Sequence, residues 1–350
     1  MNPKKTTGRG ANLNTDSRFE KLQRGLFAIE GIDEANDLLK ATQVYIESPK
    51  NILSENDSPD VPWRYSINPY QGCEHGCIYC YARNSHNYYG WSAGLDFETK
   101  IIAKPDAPVL LEKELLKKNW KVQPIMLSGN TDCYQPLERK MKITRDLLQV
   151  FAKYRHPVSI ITKNVLVLRD LDILKDLAKD NLVHIAFSIT SCDETLRLAL
   201  EPRTARADKK FDAIAQLHTQ GIPTIVMVGP IIPGLNDHEL MSIMKRASEA
   251  GALSASYTMV RLNGAIGELF TDWLERHFPD KKDAVLNKIR SLHGGQLNDS
   301  RWGTRMKGEG KLAEAIRMLF HTGKNQYFQN CVVPEYNLHA FRRCGHYTLF

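Results

Sequence analysis

The stretch CEHGCIYCYAR, residues 73–83, places three thiols at Cys73, Cys77 and Cys80. A C-x3-C-x2-C spacing lets one short loop wrap three sulfur ligands around a single centre. Three thiolates leave a four-iron, four-sulfur cubane with one iron that no protein group holds, and the amino and carboxylate groups of a methionyl cofactor can chelate that iron. The spacing alone also fits two other arrangements: a zinc site completed by His75 or Cys133, and a structural iron–sulfur centre with a remote fourth cysteine. Tyr79, just before the third thiol, offers a ring face that can pack against adenine.

Outward from this loop, short apolar runs alternate with longer segments of helical spacing. Six strands are expected, at Arg64 to Tyr70, Pro124 to Gly129, Val158 to Lys163, Leu182 to Thr190, Thr224 to Ile232 and Ala255 to Leu262. Ile143, Leu147, Val150, Phe151 and Tyr154 fall on one face of a helix between two of them. Runs such as IVMVGPII read as strands buried on both sides, the mark of a parallel sheet covered by helices. Regular structure is expected to begin near Trp63, after the polar linker SPKNILSENDSPDVPW at 48–63. After Leu262 the pattern turns helical in FTDWLERHF, KKDAVLNKIRSL and KLAEAIRMLF. The domain expectation is therefore an arm and linker over 1–62, an α/β core over 63–265 and a helical extension over 266–350.

The 350 residues carry a formal charge of +7, with about +4 in residues 1–24, +5 in residues 301–350 and −2 between. Basic ends of this kind suit a polyanion such as DNA or another nucleic acid, and equally serve solubility. No apolar run approaches the roughly 18 residues of a membrane span, so the expected location is cytoplasmic, with no membrane partner. Seven cysteines, an odd number, are expected to be reduced there and used for metal or chemistry rather than disulfides.

The triplet with its aromatic, followed by repeated β/α units, resembles the radical S-adenosylmethionine (SAM) superfamily. NPYQGCEHGCIYCYAR, SGNTDCYQPLERKMKITR, ITKN, EPRTAR, PIIPGLND and RWGTRMKGEGKLAEAIRMLF are similar to the branch related to spore photoproduct lyase, and to an uncharacterised bacterial group within it. The resemblance implies an α/β fold, a partial (β/α)6 barrel with its site at the carboxyl ends of the strands. It implies a [4Fe-4S] cluster on Cys73, Cys77 and Cys80, S-adenosyl-L-methionine as cofactor, and an electron donor such as flavodoxin or ferredoxin.

Asn130, Thr131 and Asp132 end the second strand, where the superfamily serves the cofactor's amino group or ribose; a plain β-turn gives the same letters. Lys163 ends an apolar strand, where a buried charge demands an anion such as the SAM carboxylate. Ser188 ends the fourth strand, and in the resemblance a serine there contacts the cofactor. Glu201 and Arg203 follow on a loop at the mouth, where a guanidinium can clamp a carboxylate or phosphate. SHNYYGWSAGLDFETKI at 85–101 suits packing over the centre as a dry lid more than stacking on bases. Cys133 and Tyr134 are the candidate hydrogen-atom donors. The photoproduct lyases' cysteine falls nearer the position of Gly129, so the resemblance does not carry thymine-dimer repair over to this chain.

The resulting expectation is an enzyme that cleaves SAM reductively and abstracts a hydrogen atom from a substrate. The rival is a zinc- or iron–sulfur-stabilised nucleic-acid-binding protein without catalysis.

Overall fold

Six parallel strands dominate the computed structural model, which describes residues 8–11, 15 and 42–343. Most of the basic N-terminal arm, with Lys4, Lys5, Arg18, Lys21 and Arg24, lies outside the described residues, as does Cys344. Along the described chain run β1 (Gln43–Ile46), β2 (Leu53–Glu55), β3 (Tyr65–Ile67), β4 (Tyr70–Gln71), β5 (Lys100–Ala103), β6 (Ile125–Leu127), β7 (Val158–Thr162), β8 (Val183–Ile189), β9 (Thr224–Ile231) and β10 (Ser254–Met259). The main sheet has the order β10-β9-β8-β7-β6-β3-β2, with β2 antiparallel at its edge. A second sheet, β1-β5-β4, stands beside it.

Each of the six expected runs contains one parallel strand. Regular structure nevertheless begins before Trp63, because β1 and β2 precede it. Their side chains are mostly exposed, so they are strands by backbone pairing and carry no apolar rhythm for a sequence to show.

Helices Ile143–Tyr154, Leu171–Ala178, Ala207–Thr219 and Leu240–Glu249 cover one face of the main sheet. There Val158, Ile160, Ile185, Phe187, Val226 and Val228 pack with Leu147, Phe151, Leu177, Ile214 and Ile243 in one core. Each such side chain contributes roughly 1.5–3 kcal/mol on leaving water. The other face departs from the expectation of burial on both sides. Ser159, Ile161, Ile225, Met227, Ser254 and Ser256 alternate with the core residues and are only half-buried, so this face lines the interior of a partial barrel.

Two C-terminal segments complete the walls. Helices Ile266–His277, Lys282–Leu292 and Gly310–Phe328 form the expected extension. Between the last two, Met259 N–H of β10 donates to Met306 (2.9 Å), and Lys307 Nζ donates to the Tyr257 carbonyl (2.6 Å). The same segment reaches the β2–β3 loop: Gly303 N–H donates to Asp60 Oδ1 (2.7 Å), and Arg305 donates to Asp60 Oδ2 and Ser58. Residues 303–307 thus strap together the two edges of the open sheet. At the amino end, Tyr336 lies against His184 with ring centroids 4.0 Å apart, and Asn337 and Arg342 donate to the carbonyls of Asn181 and Tyr154. That tail caps the end of the barrel opposite the strands' carboxyl ends.

Asp60→Ala is expected to speed amide hydrogen exchange in residues 303–307 and leave β7 and β8 unchanged. Unaltered protection of 303–307 would show that the strap does not depend on Asp60.

Candidate functional site

The loop from Gly72 to Cys80 begins at the end of β4 and is held from several directions. Cys73 N–H donates to the Phe97 carbonyl and Ile78 N–H to that of Leu200, both at 3.0 Å. Gln135, fully buried, receives Glu74 N–H on its oxygen (3.0 Å) and donates its nitrogen to the Gly72 carbonyl (3.1 Å). Beneath the loop lies Arg83, also fully buried. Its Nε donates to the Cys77 carbonyl (2.9 Å), Nη1 to those of Ala93 (3.2 Å) and Gly94 (3.0 Å), and Nη2 to Glu98 Oε1 (2.6 Å).

The Glu98 carboxylate also accepts Gly10 N–H (3.0 Å) and Ala11 N–H (2.8 Å), so a piece of the N-terminal arm packs against the cysteine loop. The approach is close enough that a β-carbon at Gly10 would stand 1.7 Å from the Gly76 carbonyl oxygen. Gly76 itself has φ +69°, which a side chain would strain.

Cys73 and Cys77 are buried and Cys80 partly so. Burial pushes the Cys73 thiol up, and Asp132, Cys77 and Cys80 push it further; burial and Glu201 do the same for Cys77. Cys80 packs against the cluster that holds Cys73 and against the one that holds Cys77, so the three thiols share one region, and a cation among them would relieve their resistance to ionisation. No three His, Cys, Asp or Glu side chains among the described residues converge on one point as ligands of a single ion do. A cubane makes no such demand, since each thiolate binds a different iron. The fourth-ligand candidates are engaged elsewhere. His75 turns Nδ1 toward Asp132 (3.4 Å) and Nε2 toward Asn164 (3.3 Å), while Cys133 is fully buried in the sheet–helix core. Three soft donors with no fourth beside them among the described residues fit a cluster that keeps one position open.

Next to the loop, at the carboxyl ends of β7, β8 and β9, four residues singled out in the sequence, Tyr79, Lys163, Ser188 and Glu201, come together with Thr190. Lys163 Nζ donates to Ser188 Oγ (2.8 Å), Thr190 Oγ1 (3.2 Å) and Glu201 Oε1 (2.9 Å). Tyr79 lays its ring 5.6 Å from the ammonium and donates its hydroxyl to Glu201. A second lysine, Lys210, is buried with its Nζ 3.8 Å from Glu201 Oε2 and 3.0 Å from the Ser188 carbonyl. Burial pushes the Glu201 carboxyl up, but Lys163 and Lys210 outweigh it and hold the group well below the usual carboxylate range. Burial draws Lys210 down to about 8 against the pull of Glu201. The anionic partner that Lys163 demanded is thus Glu201, and all three ammonium donors are spent within the protein.

The other expected residues divide. Asp132 accepts Thr162 Oγ1, Lys163 N–H and Tyr134 N–H, each at 2.8 Å, and so joins β7 to the cysteine loop through His75. Thr131 turns its hydroxyl onto the Tyr70 carbonyl (2.6 Å). Asn130 and Arg203 keep side chains partly open to solvent, Arg203 with Nη1 3.6 Å from Glu74. Cys133 and Tyr134 are not brought to this cluster: both are fully buried, and Tyr134 donates its hydroxyl to Asp170 (3.0 Å) among the helices. In the expected lid, His86 is buried, drawn down to about 4 by burial, and packs on Phe97 and Trp91, while Tyr88 is exposed.

Sequence reasoning missed Gly10, Glu98, Gln135 and Lys210. Arg83 sat inside the quoted motif, three residues after the last cysteine, but spacing gave no sign that it would be fully buried.

The family described as the Radical SAM superfamily matches residues 67–247. An uncharacterized protein of Mycobacterium tuberculosis is 31% identical over 235 residues, covering 67% of this chain and 68% of its own. One of Methanocaldococcus jannaschii is 31% identical over 228 residues, covering 64% and 80%. Among solved structures, spore photoproduct lyase complexed with dinucleoside spore photoproduct aligns with a TM-score of 0.60 at 15% identity, over 81% of this chain and 79% of that one, a likeness of fold.

Two substitutions probe this geometry. Gly10→Ala is expected to quicken hydrogen exchange across residues 72–80 by roughly tenfold or more, and unchanged exchange would show that the arm does not support the loop. Glu201→Gln strands two buried lysines and should lower stability at pH 7 by about 3–5 kcal/mol in urea unfolding. Because the folded carboxyl is held below its ordinary value of 4.5, its stabilisation is complete above that pH and lost as pH falls through the folded value. The difference between the two proteins should therefore shrink in acid.

Proposed function

Because the chain belongs to the radical SAM superfamily of enzymes, we propose that Cys73, Cys77 and Cys80 hold three irons of a [4Fe-4S] cluster and leave the fourth to the amino and carboxylate groups of SAM. One observation carries this reading: among the described residues the trio has no fourth protein ligand beside it, since His75 faces Asp132 and Asn164, and Cys133 belongs to the core. One-electron reductive cleavage of SAM, and through it hydrogen-atom abstraction from a substrate carbon, is the chemistry such a cluster supplies when bound.

The chain's own residues bind, orient and keep the site dry. Lys163, fixed by Ser188, Thr190 and Glu201, offsets part of the rise that burial and Glu201 impose on the Cys77 thiol. Tyr79 presents its ring at the same place, suited to adenine. Asn130 and Arg203, with groups still turned to solvent, are assigned to the bound cofactor or substrate. Arg83, Glu98 and Gln135 hold the loop so that the ligands need not reorganise.

A nucleic acid is the substrate class this site suits best. Tyr81 and Tyr88 stand exposed on the segment that follows the last cysteine, and Arg203 and Arg261 lie near the mouth. Exposed rings and guanidinium groups are what stacked bases and phosphates require. The solved likeness complexed with a dinucleoside photoproduct lends the reading further support.

Anaerobic reconstitution with iron and sulfide, followed by dithionite and SAM, should yield 5′-deoxyadenosine by chromatography. Replacing any one of the three cysteines with Ala should abolish it. Product retained by such a variant, or tight zinc in place of iron at the trio, would overturn the assignment.

A further inference from the structure

Beside the cysteine loop lies a second feature that the cluster chemistry does not use, a cavity of about 340 Å³ at the carboxyl ends of β3 and β6. Its polar walls are Asn51, Ser54, Ser66, Asn68, Gln71, Lys104 and Asn130; among the described residues no acidic and no aromatic side chain lines it. Asn51 and Asn68 spend their side-chain oxygens on backbone N–H groups, Asn51 on Leu53 (3.1 Å) and Asn68 on Asn130 (2.7 Å) and Thr131 (3.3 Å). That fixes the two amides with their NH2 groups still to be satisfied.

Among the described residues the side chains of Gln71, Asn130 and Lys104 make no hydrogen bond or ion pair with the protein. Lys104 is half-buried, and burial draws its ammonium down, with Glu47 the acidic group that offsets this. The cavity is thus rich in donors, bears one unpaired cation and has no ring to stack on. Those properties select an anion with several acceptor oxygens and disfavour a nucleobase.

The position is equally specific. Gln71 stands two residues before Cys73, and Gly129, in the cavity wall, accepts the hydroxyl of Tyr81, which directly follows Cys80. A group held here lies against the loop that bears the three thiols. The volume accommodates one sugar–phosphate unit.

We infer that this cavity is a subsite for a phosphoryl ester of the substrate, held by Lys104 and by the amide N–H groups of Asn51, Asn68 and Gln71. The inference rests on the nucleic-acid reading of the mouth above and gives it a definite anchor.

Equilibrium binding of the full chain to a labelled single-stranded oligonucleotide, a 5′-mononucleotide and inorganic phosphate tests it. Lys104→Gln and Gln71→Leu, each checked for an unchanged circular dichroism spectrum, should weaken binding by roughly tenfold. Lys104→Gln should also reduce the slope of log K against log salt by about one. Lys245→Gln, on a distant helix surface, controls for net charge. A loss with all three probes assigns the cavity to free phosphate esters, and a loss confined to the oligonucleotide assigns it to a nucleic-acid strand. Absence of binding by every probe, affinities unchanged in both variants, or an equal loss in Lys245→Gln would overturn the proposal. Formation of 5′-deoxyadenosine by the unaltered protein without substrate is read separately, so failure of the subsite and failure of the radical chemistry are told apart.

Discussion

The ion pair between Arg83 and Glu98, with neither side chain exposed, is the constraint on which the rest of the site depends. Two charges taken so completely from water are tolerated only when nearly every donor and acceptor finds a partner. Here they do: the guanidinium serves the carbonyls of Cys77, Ala93 and Gly94, and the carboxylate serves the backbone of Gly10 and Ala11. A planar fork with five donors can bind three separate chain segments at once, which a lysine cannot. The cysteine loop, the segment after it and a fragment of the N-terminal arm are thereby made one body.

A second set of buried charges, Lys163, Glu201 and Lys210, performs the same service for the ends of the strands. The first set fixes where the sulfurs are, and the second fixes the potential they experience. Both are built almost wholly from side chains that the protein satisfies internally, so the electrostatic field at the loop exists before any ligand arrives. Asp132 ties the cysteine loop to the second set, facing His75 on the loop and accepting the backbone N–H of Lys163 just after β7.

The barrel's six strands were readable because each buries one apolar face, and β7, β8 and β9 carry enough Val, Ile and Phe to show it. The cysteine triplet was visible as a spacing, because residues of one loop are close in sequence. β1 and β2 left no signal, since their side chains face water and only backbone pairing defines them. Gly10 was invisible for a related reason: its partner, Gly76, lies far along the chain, and neither has a side chain to betray the contact. Tyr134 shows the limit of reading chemistry from neighbours, because adjacency to Asp132 says nothing of direction, and its hydroxyl points to Asp170 instead. Lys163 was rightly marked as a charge needing an anion, yet the anion came from Glu201, on a loop whose path the sequence could not trace.

The tail that lays Tyr336 over His184 floors the interior at the amino ends of β7 and β8. A change in that floor, at Tyr336 or Asn337, would alter the depth of the interior without touching the residues at the strands' carboxyl ends.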